Sequence, residues 1–143
     1  MRRVALVVVA GVLLAGCGTQ SPSTAMKSWM QTSNFTVNAQ QLRHDAEAAA
    51  RGLRSATTTT KELHTVCAVL SVDTLAANAA LPTPDAQLTT DLAGAYNDLG
   101  GGAQVCYGAG DSQRQRQRAI SLLVRGVGSL VASALRASVV TSG

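Results

Sequence analysis

Residues 39–53, with the sequence AQQLRHDAEAAARGL, predict the fold class of this chain. The apolar residues of this stretch recur at spacings of three and four, which places them on one face of an α-helix. They are Ala39, Leu42, Ala46, Ala49 and Leu53. Most residues between them are polar, so the opposite face is expected to meet water. The stretch therefore predicts an amphipathic helix that packs against similar helices.

Three more stripes with helical spacing follow along the chain. The second contains Leu63, Val66, Leu70, Thr74, Ala77 and Leu81; the third contains Leu88, Leu92, Ala95, Leu99, Ala103 and Cys106; the fourth contains Ile120, Leu123, Val127, Leu130, Ala134 and Ala137. No stretch alternates polar and apolar residues long enough to predict a strand. Four such helices with short connections predict an all-α protein, an up-down-up-down four-helix bundle. Met26, Trp29 and Met30 predict a short additional helix at the N-terminus that packs over one end of the bundle.

Proline and glycine mark the expected breaks. Pro82 ends the second helix, and Thr83 is expected to cap the third, with Pro84 at its first position and Asp85 near the positive end of its dipole. The glycines at 100–102 are expected to loosen or bend that helix, since each costs about 1 kcal/mol relative to alanine. The frequent alanines predict closely spaced helices and a thin core.

The N-terminal segment has the pattern of an export signal. Arg2 and Arg3 precede an apolar run that ends at Gly16. As a helix this run covers only about 20 Å, less than the roughly 30 Å hydrocarbon core of a bilayer. Small residues before the expected cleavage site, between residues 16 and 17, complete the pattern. Residues 1–16 are therefore expected to be a signal peptide.

The stretch Leu14-Ala15-Gly16-Cys17 resembles the bacterial lipobox, in which the cysteine becomes the lipidated first residue of the mature protein. The resemblance implies that acyl chains on Cys17 anchor the protein to the membrane, and that it is extracytoplasmic, on the outer face of the cell membrane. A secretory signal that is cut elsewhere, or an uncleaved anchor, is the alternative.

The rest of the chain divides into three segments. Residues 17–24 are expected to form the lipidated N-terminus and a flexible tether, residues 25–138 the bundle domain, and residues 139–143 a disordered tail. Without the two arginines of the signal, the charge is 12 − 2 = 10 basic against 8 acidic residues, or +2. This charge is too small to indicate nucleic-acid binding, and 3% aromatic residues make base-stacking platforms improbable.

Cys67 and Cys106 are the thiols left after Cys17 is lipidated, and in an oxidising compartment they are expected to form a disulfide. Free thiols or a redox pair are the alternative. The bond would close a loop of about forty residues, which is worth about 4 kcal/mol on a chain-entropy argument. In straight antiparallel helices the two cysteines would be offset by about 12 Å. A break at residues 71–73 or a bend at residues 100–102 is therefore expected.

The mature region resembles a group of small secreted helical proteins from mycobacteria and related actinobacteria. The resemblance depends on Trp29, Cys67, the stretch at residues 81–85, Tyr96 and Cys106. It implies the fold, the disulfide and a location in the cell envelope. It implies no activity and no catalytic residue.

Two groups of polar residues are candidate sites. His44 and His64 lie symmetrically about the first turn and could face each other across two helices, as in a haem or metal site. Because no further ligands complete such a set, both histidines are expected to be solvated, without metal or cofactor. Arg114, Arg116 and Arg118 oppose the dipole at the start of the fourth helix. They either contact an envelope protein or anionic lipid headgroups, or form a solvated helix end.

The chain contains no nucleophile elbow and no phosphate loop, so it is not expected to be an enzyme. The sequence favours a lipid-anchored, noncatalytic binding module of the envelope. The alternative is a carrier of a small molecule, haem or metal in the bundle interior. A roomy internal pocket would favour the carrier, whereas a solid core with an exposed apolar or arginine patch would favour the binding module.

Overall fold

A computed structural model describes residues 20–143 as five α-helices. They are α1 (Pro22–Thr32), α2 (Phe35–Arg54), α3 (Thr60–Asn78), α4 (Ala86–Gly108) and α5 (Gln113–Ser142). Each of α2 to α5 packs against its neighbours in the chain, and α2 also packs against α5, so these four helices form a closed bundle. The predicted all-α four-helix bundle with a short additional N-terminal helix is confirmed. The predicted signal peptide and Cys17 lie outside the described residues.

Both ends of the bundle domain extend beyond the predicted bounds. Ser21 caps α1, since its side chain accepts a hydrogen bond from the Thr24 amide at 3.2 Å, and Pro22 follows at the first helical position. The last residues of the predicted tether are therefore helical. At the other end, α5 continues to Ser142, so the prediction of a disordered tail from residue 139 is wrong. The tail is helical because Val140 packs against the core.

The starts of α3 and α4 use different side chains. Thr59 and Glu62 form a reciprocal capping box at α3. At α4 the cap is Asp85, whose carboxylate accepts a hydrogen bond from the Leu88 amide at 2.6 Å, so the prediction that Thr83 caps this helix is wrong. The Thr83 hydroxyl instead donates to the Asp85 carbonyl at 2.6 Å and holds the connection itself in shape.

The centre of the bundle is packed tightly by leucines, alanines and two buried glycines. A Cβ atom built on Gly102 would lie 2.7 Å from Leu123 Cδ2, and one built on Gly126 would lie 2.8 Å from Leu99 Cγ. The helix α4 continues through the glycine run at 100–102 without a break. The third glycine of the run lets α4 and α5 approach more closely than any side chain would allow.

The helix α1 covers one end of the bundle, as its methionine and tryptophan face predicts. Met26 is fully buried. The indole nitrogen of Trp29 donates to the Ala80 carbonyl at 2.9 Å, and its ring centroid lies 5.2 Å from that of Phe35. Trp29 therefore ties α1 to the start of α2 and to the connection between α3 and α4.

Candidate interaction surfaces

The predicted disulfide joins Cys67 of α3 to Cys106 of α4, with a Cα–Cα distance of 5.9 Å and both residues fully buried. Both helices are continuous, so the expected break at residues 71–73 is absent. The connection at residues 79–85 separates the end of α3 from the start of α4 by seven residues, so the two helices need not end and begin at the same level.

A surface groove between α3 and α4 lies beside this disulfide, and we call it the α3–α4 groove. It consists of two adjoining cavities of about 420 and 390 Å³. Val72 and Leu75 stand on its rim with 66% and 71% of their surface exposed. Tyr96 lies at its base, where burial raises the pKa of the phenol to about 12. The groove therefore combines exposed aliphatic side chains with the amides of Asn78, Asn97 and Gln104.

The two histidines do not share a site. The ring of His64 stacks on Tyr107 of α4, with centroids 4.3 Å apart. The exposed His44 has its Nδ1 atom 3.3 Å from the carboxylate of Asp45. Within residues 20–143, no group of three or more histidine, cysteine, aspartate or glutamate side chains is arranged to hold a metal ion.

Asp73 of α3 lies close to Asp45 of α2, and the sequence analysis did not predict this pair. Partial burial, followed by the charge of Asp45 and a hydrogen bond with it, raises the pKa of Asp73 above its ordinary value. The amide of Gln41 donates to both oxygens of Asp45, at 2.9 and 3.0 Å. No sequence motif predicts such a pair, because the two residues belong to different helices.

A second surface runs along α2 and α5, and we call it the α2–α5 face. Two cavities of about 340 and 290 Å³ lie along it between the helices. The α2 side of these cavities carries Arg43, Arg51 and Arg54; the α5 side carries Val124, Val131 and Leu135. The valines are 56% and 40% exposed and Leu135 is 65% exposed, so the α5 side presents apolar surface to solvent.

Charge is divided between the two halves of the bundle. Every arginine in residues 20–143 lies on α2 or α5: Arg43, Arg51, Arg54, Arg114, Arg116, Arg118, Arg125 and Arg136. The helices α3 and α4 carry Glu62, Asp73, Asp91 and Asp98, against the single cation Lys61. Arg125 holds Asp98 through contacts of 2.6 and 2.7 Å, and Arg136 holds Asp85 at 3.2 and 3.3 Å. These arginines lower the pKa of both carboxyl groups.

The three arginines at the start of α5 have different surroundings. Arg116 donates from Nε to the Gly110 carbonyl at 2.8 Å, and from Nη1 to the carbonyls of Leu53 and Ser55 at 3.3 and 3.4 Å. It thus satisfies free carbonyls at the C-terminus of α2, where a cation is also favoured by the helix dipole. Arg114 and Arg118 are exposed. Of the predicted contact residues, Arg116 has a structural role and the other two are accessible.

The helix α5 is also notable for its apolar composition. Among the described residues it alone has the length and hydropathy that a bilayer-crossing helix needs, and 28% of its most apolar stretch is buried in the bundle. Because Gly126 and Leu123 pack against α4, we describe α5 as a bundle helix with an apolar outer face.

No family model, no curated protein and no solved structure matches this chain.

Proposed function

We propose that this chain is a lipid-anchored, noncatalytic binding module of the bacterial cell envelope, held at the outer face of the membrane by acyl chains on Cys17. The observation that carries the proposal is a tightly packed bundle centre combined with open, partly apolar grooves on its surface. Binding in such a molecule takes place on the outside of the helices. Exposed apolar surface of this kind is typical of interaction sites.

The packing between α4 and α5 favours this proposal over a carrier that uses the bundle interior. Gly102 lies against Leu123 and Gly126 against Leu99, so the two helices touch at backbone distance. A haem or a comparable ligand between these helices would need them to separate. The cavities described above, of about 290 to 420 Å³, lie in grooves that open to solvent.

The α3–α4 groove is the surface that we assign to a protein partner. Its rim residues Val72 and Leu75 are aliphatic, and Tyr107 beside them is 50% exposed. Aliphatic and aromatic side chains form the centre of typical protein interfaces, where they are buried by the partner. The disulfide between Cys67 and Cys106 holds the two walls of the groove together.

The anchor is tested by feeding the producing bacterium an alkyne-tagged fatty acid and by fractionating its membranes. We expect the tag on the protein, and its complete loss in Cys17→Ser. Gln20→Ala, a change in an exposed residue just after the lipobox, is the matched control and should keep the tag. An untagged wild-type protein that is found in the cytoplasm would overturn the proposal.

Binding is tested by placing a photo-crosslinking amino acid at Leu75 or at Thr90 of the full protein in intact cells. Both positions are exposed, but only Leu75 lines the α3–α4 groove. We expect one discrete crosslinked product from Leu75 and none from Thr90. Equal patterns from the two positions would remove the assignment of the groove.

A further inference from the structure

We infer that the α2–α5 face lies on an anionic phospholipid surface, with the outer stripe of α5 in the interfacial layer and arginines on both sides of it. This inference deepens the proposed function, because it names the face that the anchored bundle turns toward the membrane. It depends on the composition and geometry of α2 and α5 alone. Its test below uses protein without acyl chains.

The apolar part of the surface is a continuous stripe on α5. Val124, Val131, Leu135 and Val139 are separated by seven, four and four residues, which places them in one row along the helix. Leu135 and Val139 are 65% and 72% exposed. Such an amphipathic helix, with its apolar row facing outward, has the character of an interfacial helix.

Two rows of arginine flank this stripe. On one side, the wall formed by α2 carries Arg43, Arg51 and Arg54, which line the same grooves as the stripe, together with Glu47, whose carboxylate lies 3.7 Å from Arg43. On the other side lie Arg118, Arg125 and Arg136; the last two directly follow the stripe residues Val124 and Leu135 and are thus turned about 100° around the helix. Arg125 and Arg136 are paired with Asp98 and Asp85, so within the described residues Arg118 is the cation of this row without a carboxylate partner. Long arginine side chains next to an apolar surface reach the headgroups while their stems stay in the apolar layer.

The distribution of charge favours an anionic bilayer over a second copy of the chain. An anionic surface attracts basic groups near it, and all described arginines lie on the two helices of this face. Asp98 and Asp85 are already paired with Arg125 and Arg136, whereas Glu62 and Asp73 lie on α3, outside this face. Two copies that met through this face would bring their arginine rows together, which is unfavourable.

The position of the proposed anchor agrees with this orientation. Four residues separate Cys17 from the start of α1 at Pro22, so fully extended chain between the two residues spans at most about 18 Å. The helix α1 packs mainly against α5. The acyl chains therefore enter the membrane close to the helix that carries the stripe.

The experiment measures cosedimentation of the mature chain, starting at residue 17 and produced without acyl chains, with two kinds of vesicle. Residues 20–143 contain the complete bundle core, so this form keeps the fold. One kind of vesicle is pure phosphatidylcholine. In the other, about 30% of the phosphatidylcholine is replaced by the anionic lipid phosphatidylglycerol. We expect binding to the anionic vesicles, little to the neutral ones, and weaker binding as salt increases.

Matched variants identify the face. Leu135→Gln changes the stripe, and Leu75→Gln changes an equally exposed leucine, 71% against 65%, on α3. We expect Leu135→Gln to weaken vesicle binding about tenfold, because a partly inserted leucine is lost, and Leu75→Gln to leave it unchanged. Arg51→Gln should weaken binding about fivefold, while Lys61→Gln on α3 should have little effect. Circular dichroism and thermal melting verify that each variant folds.

Three results would overturn the inference: equal affinity for the two kinds of vesicle, equal effects of Leu135→Gln and Leu75→Gln, or a stripe variant that changes only self-association in the absence of vesicles. The last result would assign the face to a second copy. If the fatty-acid label is absent from Cys17, the vesicle result is still valid. If the vesicles are not bound, the labelling result is still valid. The anchor and the docking face are therefore tested separately.

Discussion

Gly126 of α5 lies directly against Leu99 of α4: a Cβ atom built on the glycine would come within 2.8 Å of Leu99 Cγ and 3.0 Å of the Leu99 backbone nitrogen. The side chain of Leu99 could shift, but its backbone could not do so without moving α4. Gly102 makes the reciprocal contact with Leu123. These two contacts fix how closely the central helices pack.

Gly126→Ala is therefore expected to lower the free energy of unfolding by about 1–2 kcal/mol, because overpacking outweighs the gain in helix propensity. Gly128→Ala, two residues further along, is the control. A Cβ atom there meets nothing within 4 Å, and alanine should stabilise α5 by up to about 1 kcal/mol. Urea denaturation measures both. Stabilisation by Gly126→Ala would contradict the close packing.

Removal of the disulfide is expected to cost about 4 kcal/mol, since the bond closes a long loop in the unfolded chain. The double variant Cys67→Ala/Cys106→Ala tests this by urea denaturation of the mature chain. Wild-type protein that is denatured with and without a reducing agent provides the control, and reduction should reproduce the effect of the variant. A change below about 1 kcal/mol would show that the bond contributes little to the unfolding equilibrium.

Arg116→Ala is expected to destabilise the bundle by about 1–2 kcal/mol, because the carbonyls of Gly110, Leu53 and Ser55 lose a charged donor. Arg114→Ala changes an exposed neighbour of the same charge and should alter stability by less than about 0.5 kcal/mol. Thermal melts of the two variants give the comparison. Equal effects would mean that the three arginines act only through their charge.

The pair of Asp73 and Asp45 should make stability depend on pH. Because the folded state raises the pKa of Asp73 above 3.8, this group stabilises the fold below pH 3.8, and that contribution is lost as pH rises through the folded pKa. Asp73→Asn should therefore stabilise the protein at pH 7, by less than about 1 kcal/mol at this partly exposed site, and should have little effect at pH 3.

Asp98→Asn is the control, because it is expected to change the stability at pH 7 in the opposite direction to Asp73→Asn. The guanidinium of Arg125 lowers the pKa of Asp98, so the ionised carboxylate stabilises the fold above pH 3.8, and this contribution is lost as pH falls through the lower folded pKa. The variant should be less stable than wild type at pH 7, with a difference that shrinks in acid. Melting temperatures measured from pH 3 to pH 7 test both signs. Parallel pH profiles for the two variants would contradict the assignment.

Helical periodicity determined the class of the fold. The spacing of residues such as Leu42, Ala46 and Ala49 predicts which face of a helix is buried, because a helix repeats every 3.6 residues whatever it packs against. Proline located the break at Pro82, and the number of cysteines predicted the partners of the disulfide. These are local properties, or they follow from the count of cysteines.

Only the tertiary structure decided how the helices meet and what their outer faces present. The glycines at 100–102 weaken an isolated helix, yet Gly102 stays helical because close contact with Leu123 compensates for its low propensity. The connection at residues 79–85 allows the disulfide without a break in either helix. The division of charge between the two halves of the bundle, and the arginines of α2 beside the stripe on α5, arise from residues far apart in sequence. Packing brings such residues together, and no local pattern encodes their distance.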